Sequence, residues 1–184
     1  MRRTAALLLG AMVLLAACGG DRVPTDATNQ GLLASTARQQ DIKTLRAATE
    51  AFKDFNAATN GGPYSAQITP CMEDPTLGGM GFHYGNVGLI DGTVQVDQPE
   101  LLLYQPGPGG AMTLVAVEYI IPYTFISRDS PPPMLFGEKF QQVDAFQLWG
   151  LHAWVWKRNP SGLFAPWNPT VSCASSTTPV MSHH

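Results

Sequence analysis

Apolar side chains recur every three or four residues in one stretch of the chain, from Ser35 to about Ala58. This spacing is typical of an amphipathic helix with one buried face. Ser35 or Thr36 can cap the start of the helix, and the run from Asn60 to Pro63 ends it. The predicted apolar stripe consists of Ile42, Leu45, Ala48 or Thr49, Phe52 and Phe55.

After this helix the apolar period changes to two, which indicates strands. Loops are predicted for residues 63–80, which include Cys71, and for residues 127–138, which include three consecutive prolines. The Pro- and Gly-rich run at 106–110 predicts a hairpin connection between two of the strands. The predicted strands are residues 82–90, 100–105, 112–123 and 146–156.

Together these elements predict an α+β fold, in which one N-terminal helix packs on an antiparallel β-sheet of four or more strands. A small β-barrel or a cupin-like sandwich is the alternative. The 184 residues suit one domain, which we place at residues 35–184.

The first 17 residues have the pattern of an export signal. Met1-Arg2-Arg3 is basic, and the apolar run that follows is too short to span a bilayer. Its end, Leu15-Ala16-Ala17-Cys18, resembles the lipobox of bacterial lipoproteins. This resemblance implies that residues 1–17 are removed and that Cys18 carries the acyl chains, palmitate among them. Residues 18–34 would then be the lipidated cysteine and a flexible tether. The alternative is an ordinary secretory signal in which Cys18 has no role.

Charge excludes one class of partner and leaves the lipid as the membrane anchor. The chain has 11 basic and 14 acidic side chains. Removal of residues 1–17 takes away Arg2 and Arg3, so 9 basic and 14 acidic side chains remain, with a net charge of −5. We therefore expect no nucleic-acid partner and attachment to the cell membrane through lipid alone. Gly19 follows Cys18, and no aspartate comes next to it, which favours the outer membrane if the host has two.

Three cysteines in an exported chain leave one unpaired unless Cys18 is lipidated. Cys71 and Cys173 are then predicted to form a disulfide bond in an oxidising compartment. Two free thiols or an intermolecular bridge are the alternatives.

Familiar catalytic motifs are absent from the sequence, but a set of three residues can bind a metal ion. His83, Glu118 and His152 each lie on a different predicted strand. A carboxylate in the apolar run 114–119 is costly unless it is paired or acts as a ligand. Two imidazoles and a carboxylate suit one divalent transition metal, which can be zinc, copper, iron or manganese.

The alternative for these three residues is an ordinary place in the core, with Glu118 paired to Arg128, Lys157 or one of the histidines. His152, Trp154 and Trp156 alternate along their predicted strand, so the two tryptophans are either core residues or the lining of a ligand site. Trp167 is expected to be an exposed aromatic residue. Asp97 and Glu100 are expected to be solvated, because they flank Pro99 at a turn.

The body of the chain also resembles a group of exported bacterial proteins and lipoproteins, over most of residues 40–173. The resemblance implies export and brings no activity with it. Three functions stay open: a lipid-anchored module that binds a metal ion or small ligand, a metal-dependent enzyme, and a structural or interaction protein of the cell envelope. The matching stretches are GMGFHYGN (79–86), PELLLY (99–104), LVAVEY (114–119), LHAWVW (151–156), NPSG (159–162) and VSC (171–173).

Overall fold

The computed structural model describes residues 27–182, so the predicted signal peptide and Cys18 lie outside the described residues. Helix α1 spans Ala27–Thr49, a 3-10 turn follows at Glu50–Lys53, and a short helix α2 spans Phe55–Thr59. The predicted apolar stripe is confirmed, because Ile42, Leu45, Phe52 and Phe55 all pack in the core. Of the two alternatives for one position of the stripe, Thr49 is buried and Ala48 is exposed.

The helical region ends at Thr59, as predicted, but its predicted start was wrong and it is not one continuous helix. Residues 27–34, which we assigned to the flexible tether, already belong to α1, although Leu32 and Leu33 are exposed. Near its other end the chain bends after Lys53, and the Asp54 side chain caps α2 by accepting a hydrogen bond from the Asn56 backbone N–H. Phe52, through its backbone carbonyl oxygen, and Phe55, through its ring, both contact Tyr104 of the sheet.

Nine strands follow the helices within the described residues. Three of the four predicted strands are confirmed over most of their length, but of the fourth, 82–90, only residues 82–85 lie in a strand, and Val87–Leu89 form a 3-10 turn. The other strands lie outside the stretches that we predicted as strands. The strands are β1 (Ala66–Asp74), β2 (Gly78–Gly85), β3 (Leu101–Pro106), β4 (Met112–Pro122), β5 (Met134–Leu135), β6 (Glu138–Lys139), β7 (Gln141–Val143), β8 (Leu148–Ala153) and β9 (Met181–Ser182).

In the described part of the chain, seven of these strands form one sheet in the order β7-β8-β4-β3-β2-β1-β9. Neighbouring strands are antiparallel except at one edge, where β9 is parallel to β1. The α+β prediction is therefore confirmed, but the sheet is mixed rather than wholly antiparallel. β5 and β6 form a separate two-stranded ribbon.

β1 is the main strand that the sequence pattern failed to predict. Its register against β2 shifts three times between Gln67 and Glu73, and Pro70 interrupts it. Each shift breaks the alternation of buried and exposed side chains, which is the signal used to recognise a strand. The stretch 63–80 therefore resembled a loop.

The sheet has two buried faces. One face packs against the helices through residues such as Leu102, Tyr104 and Tyr119. The opposite face carries Leu101, Leu103 and Ile120 and is covered by the segment that follows β8, residues 154–173, which we call the C-terminal segment and from which Trp154 and Val171 pack.

The disulfide between Cys71 and Cys173 fastens this segment to β1, which confirms the predicted pair. In addition, the Gly79 N–H donates to the carbonyl oxygens of Asn168 and Val171. No helix within residues 27–182 is both long and apolar enough to cross a bilayer.

Candidate metal centre

The sheet brings His83, Glu118 and His152 together on its second face, away from the helices. They lie on β2, β4 and β8, and each alternates with neighbours that point to the helix side, as Leu151 and Ala153 do beside His152. Glu118 is directly opposite His152 in the β4–β8 register, and His83 reaches it from across β3. All three side chains are buried.

The ligand-type atoms of these residues converge without forming good hydrogen bonds. Nε2 of His83 lies 3.5 Å and Nε2 of His152 lies 3.8 Å from Oε2 of Glu118. Hydrogen bonds between such groups are about 2.7–3.2 Å long, so both contacts are too long to count as one. One atom from each residue lies within 4.8 Å of the other two.

The lack of good hydrogen bonds is clearest at His152. Among the described residues, its Nε2 is a buried polar side-chain atom without any hydrogen-bond partner. Such an atom carries a free-energy penalty unless something else binds it. The His152 ring is held in place by stacking on Trp154, with ring centres 6.2 Å apart, and it meets the His83 ring edge-on.

His83 is oriented by Thr69, its partner in the neighbouring strand β1. The Thr69 hydroxyl lies 2.8 Å from His83 Nδ1, within hydrogen-bond distance. When Nδ1 carries the ring proton, it donates to Thr69 Oγ1, and the lone pair of Nε2 faces Glu118. Histidine ligands of metal ions are commonly oriented by a hydrogen bond of this kind on the second ring nitrogen.

Burial determines the protonation of all three groups. Burial lowers the pKa of His83 to about 4, and burial together with the nearby His83 lowers the pKa of His152 to about 3. Burial, and to a lesser extent the negative charge of Glu100, raises the pKa of Glu118 to about 8. Both imidazoles are therefore neutral at pH 7, with lone pairs available, and the carboxyl group keeps a proton that a cation would displace.

Glu118 does not pair with Arg128, one of the partners we considered. Arg128 instead binds Asp144 on the surface, where its Nε and Nη2 each donate to one carboxylate oxygen at 2.8 Å. The Glu118 carboxyl group instead occupies space left open by a glycine. A Cβ atom added to Gly150 would lie 2.9 Å from Oε1 of Glu118, which is closer than real Cβ contacts.

The three residues line a cavity of about 390 Å³, a size common for small-molecule sites. Most of its other lining is apolar and comes from β1, β2, the β7–β8 region and the C-terminal segment. Trp167, which we expected to be exposed, is half-buried and forms part of this wall. A composition pattern alone gives no signal for this placement, because it depends on how the C-terminal segment folds back over the sheet.

Trp154 and Trp156 do not line the cavity of the three residues; both line a second one of about 300 Å³. Strand β8 ends at Ala153, so the alternation that we extended to Trp156 stops there. Trp154 stays on the second face, whereas Trp156 packs with the helix-side core, where its Nε1–H donates to Thr49 Oγ1.

Glu100 is a buried carboxyl group that sequence reasoning missed. It is 1% exposed, and its Oε2 accepts a hydrogen bond from the Ile120 N–H. Burial raises the pKa of Glu100 to about 8. We expected a solvated residue because Pro99 precedes it, but Glu100 lies directly before β3, and its side chain bonds to the neighbouring strand β4. Asp97 is exposed, as we expected.

Comparison with known proteins adds nothing to this geometry. No protein-family model, no curated protein and no solved structure matches the chain.

Proposed function

We propose that this is an exported, lipid-anchored protein whose domain binds one divalent transition metal ion through His83, Glu118 and His152. The observation that carries the proposal is the buried Nε2 of His152, which has no hydrogen-bond partner within the described chain and points at the same carboxylate as His83. A cation between the three atoms would satisfy all of them at once.

The distances suit a metal ion better than they suit hydrogen bonds. Zinc binds histidine nitrogen and carboxylate oxygen at about 2.0–2.2 Å, which separates neighbouring ligand atoms by about 3.3 Å in tetrahedral geometry. The separations of the two histidine Nε2 atoms from Oε2 of Glu118, 3.5 and 3.8 Å, need to shorten by only a few tenths of an ångström, and the histidine ligand atoms lie within 4.8 Å of each other. Three protein ligands leave a further position open, on the side where the cavity lies.

The anchor is proposed from the resemblance of Leu15-Ala16-Ala17-Cys18 to a lipobox. The disulfide between Cys71 and Cys173 is consistent with export, because such bonds persist in oxidising compartments. The test is Cys18→Ala, which should abolish labelling with radioactive palmitate and release the protein from the membrane fraction. A Cys18→Ala protein that still carries label at the membrane would refute the anchor.

The metal site is tested by elemental analysis of the exported protein without His183 and His184, which could bind metal ions on their own. We expect nearly one equivalent of metal, lost in His83→Ala and in His152→Ala. Glu118→Gln should lose most of it, whereas Glu100→Gln, a matched change at a second buried carboxyl group, should keep it. Absence of metal, together with no thermal shift on adding Zn²⁺, Mn²⁺ or Fe²⁺, would refute the site.

A second candidate function is a metal-dependent enzyme that uses the same three ligands. It is favoured by the cavity beside the open position, which offers room for a substrate next to a metal-bound water or to oxygen. Hydrolysis of nitrophenyl esters by the zinc-loaded protein, and oxygen consumption by the Fe²⁺-loaded protein, test this candidate. Turnover that disappears in His152→Ala would support an enzyme, and turnover unchanged by that substitution would exclude the site as its source.

A further inference from the structure

The cavity beside the three residues is mostly apolar, which limits the kind of molecule that it can bind. It is lined by apolar side chains from every wall, among them Met80, Leu101 and Ile120. Two more, Ile68 and Phe146, are each 44% exposed and form an apolar rim where the cavity meets solvent. The cavity is therefore shaped for the hydrocarbon part of a molecule rather than for an inorganic ion alone.

The charges in the cavity decide what the polar end of that molecule must be. Among the described lining residues, His83, Glu118 and His152 are the only titratable groups, and no lysine, arginine or aspartate accompanies them. A divalent ion bound by one carboxylate and two neutral imidazoles keeps one positive charge. A singly charged anion cancels it, whereas a dianion would leave an unpaired negative charge in an apolar surrounding.

We propose, resting on the metal site proposed above, that the cavity binds an organic monoanion with an apolar body, such as a medium-chain or aromatic monocarboxylate, whose charged head occupies the open position of the metal. The walls bury the apolar body, and the polar groups Thr69, Gln141 and Gln142 complete the lining. The cation and the apolar walls each add affinity, because the cation binds the charged head and the walls bury the apolar body.

The experiment uses the mature chain with Cys18→Ser, which keeps it free of lipid and detergent, and again without His183 and His184, so that zinc binds only at the proposed site. Octanoate and, as its uncharged counterpart, 1-octanol are titrated by calorimetry into zinc-loaded and EDTA-treated protein. We expect octanoate to bind the zinc-loaded form at least tenfold more tightly than the metal-free form, and 1-octanol to bind both forms equally.

A pair of exposed phenylalanines provides the matched control. Phe146→Asp places a negative charge on the rim and should weaken octanoate binding at least tenfold without changing the zinc stoichiometry. Phe125→Asp is the same change at a 54% exposed residue away from the cavity, and it should leave both quantities unchanged.

The two proposals fail in different ways. Zinc bound at one equivalent with octanoate no tighter than to the metal-free form overturns the monoanion site and leaves the metal site standing. Equal effects of Phe146→Asp and Phe125→Asp would also overturn it. Failure to bind zinc overturns the metal site first, and the monoanion site with it.

Discussion

Replacement of Glu118 by glutamine should stabilise the metal-free protein, and more so at higher pH. Glu118 is buried, and its pKa is raised from the ordinary 4.5 to about 8 in the folded state. The folded protein therefore holds one more proton than the unfolded chain between these two values. The stability associated with that proton is fully present below pH 4.5 and is lost as the pH rises towards 8.

The size of the effect follows from the shift. Each pH unit in this window changes the free energy of unfolding by about 1.4 kcal/mol per proton. Between pH 5 and pH 9 the window covers about three units, so the wild type should lose about 4 kcal/mol that Glu118→Gln does not lose. The buried histidines act in the opposite direction at acidic pH, but they are present in both proteins and cancel in the difference.

The assay is denaturation by guanidinium chloride in EDTA at pH 5, 7 and 9, followed by tryptophan fluorescence with the disulfide intact. Glu138→Gln is the control, because Glu138 forms an exposed ion pair with Arg38 that contributes at most about 1 kcal/mol. Zinc at 100 times its dissociation constant should then stabilise the wild type by about 2.7 kcal/mol and have little effect on Glu118→Gln.

The opposite result would refute this reasoning. If Glu118 were a structural carboxylate paired with a protonated histidine, its replacement would destabilise the metal-free protein. A Glu118→Gln protein that is less stable than the wild type at pH 9, or a difference that does not grow from pH 5 to pH 9, would exclude a protonated Glu118 carboxyl group in the folded protein.

Three further predictions concern the surroundings of the site. Gly150→Ala places a Cβ 2.9 Å from Oε1 of Glu118 and should lower zinc affinity about 10–100-fold in a competition titration. Gly107→Ala is the control, because its Cβ would lie 3.6 Å from the nearest atom, and it should leave zinc affinity unchanged. Equal affinities of the two variants would show that the carboxylate tolerates displacement. Thr69→Val removes the hydrogen-bond partner of His83 Nδ1 and should lower zinc affinity about tenfold. Thr69→Ser keeps the hydroxyl group and should restore the affinity. Unchanged affinity in Thr69→Val would contradict the orienting role of Thr69. Cys71→Ser opens a loop of 102 residues and should lower the free energy of unfolding by about 4–5 kcal/mol in denaturant titrations. A loss below about 1 kcal/mol would mean that the C-terminal segment is held by its other contacts.

Local patterns predicted the parts of the fold that have regular spacing. The stripe from Ile42 to Phe55 identified the helical region, and the alternating runs identified β3 and β4 almost to the residue. The same patterns failed at β1, where register shifts remove the alternation, and beyond Ala153, where β8 ends before Trp156. Irregular strands depend on their neighbours for hydrogen bonds, so nothing local reveals them.

By itself the sequence determined which residues can bind a metal ion. A charged residue in the apolar run around Glu118 demands a partner wherever the strand lies, and His83 and His152 are the histidines within the predicted strands. The sequence also determined the disulfide, since lipidation of Cys18 would leave Cys71 and Cys173 as the remaining pair.

Only the tertiary structure decided that the three side chains share one point. Strand order places β2, β4 and β8 within reach of each other, and the register puts His152 opposite Glu118, whereas a shift of one residue would turn either side chain to the helix side. The cavity likewise depends on β1 and on the C-terminal segment around Trp167, which come from distant parts of the chain. Long-range pairing sets both features, and no local pattern in a sequence encodes the distance between residues far apart along it.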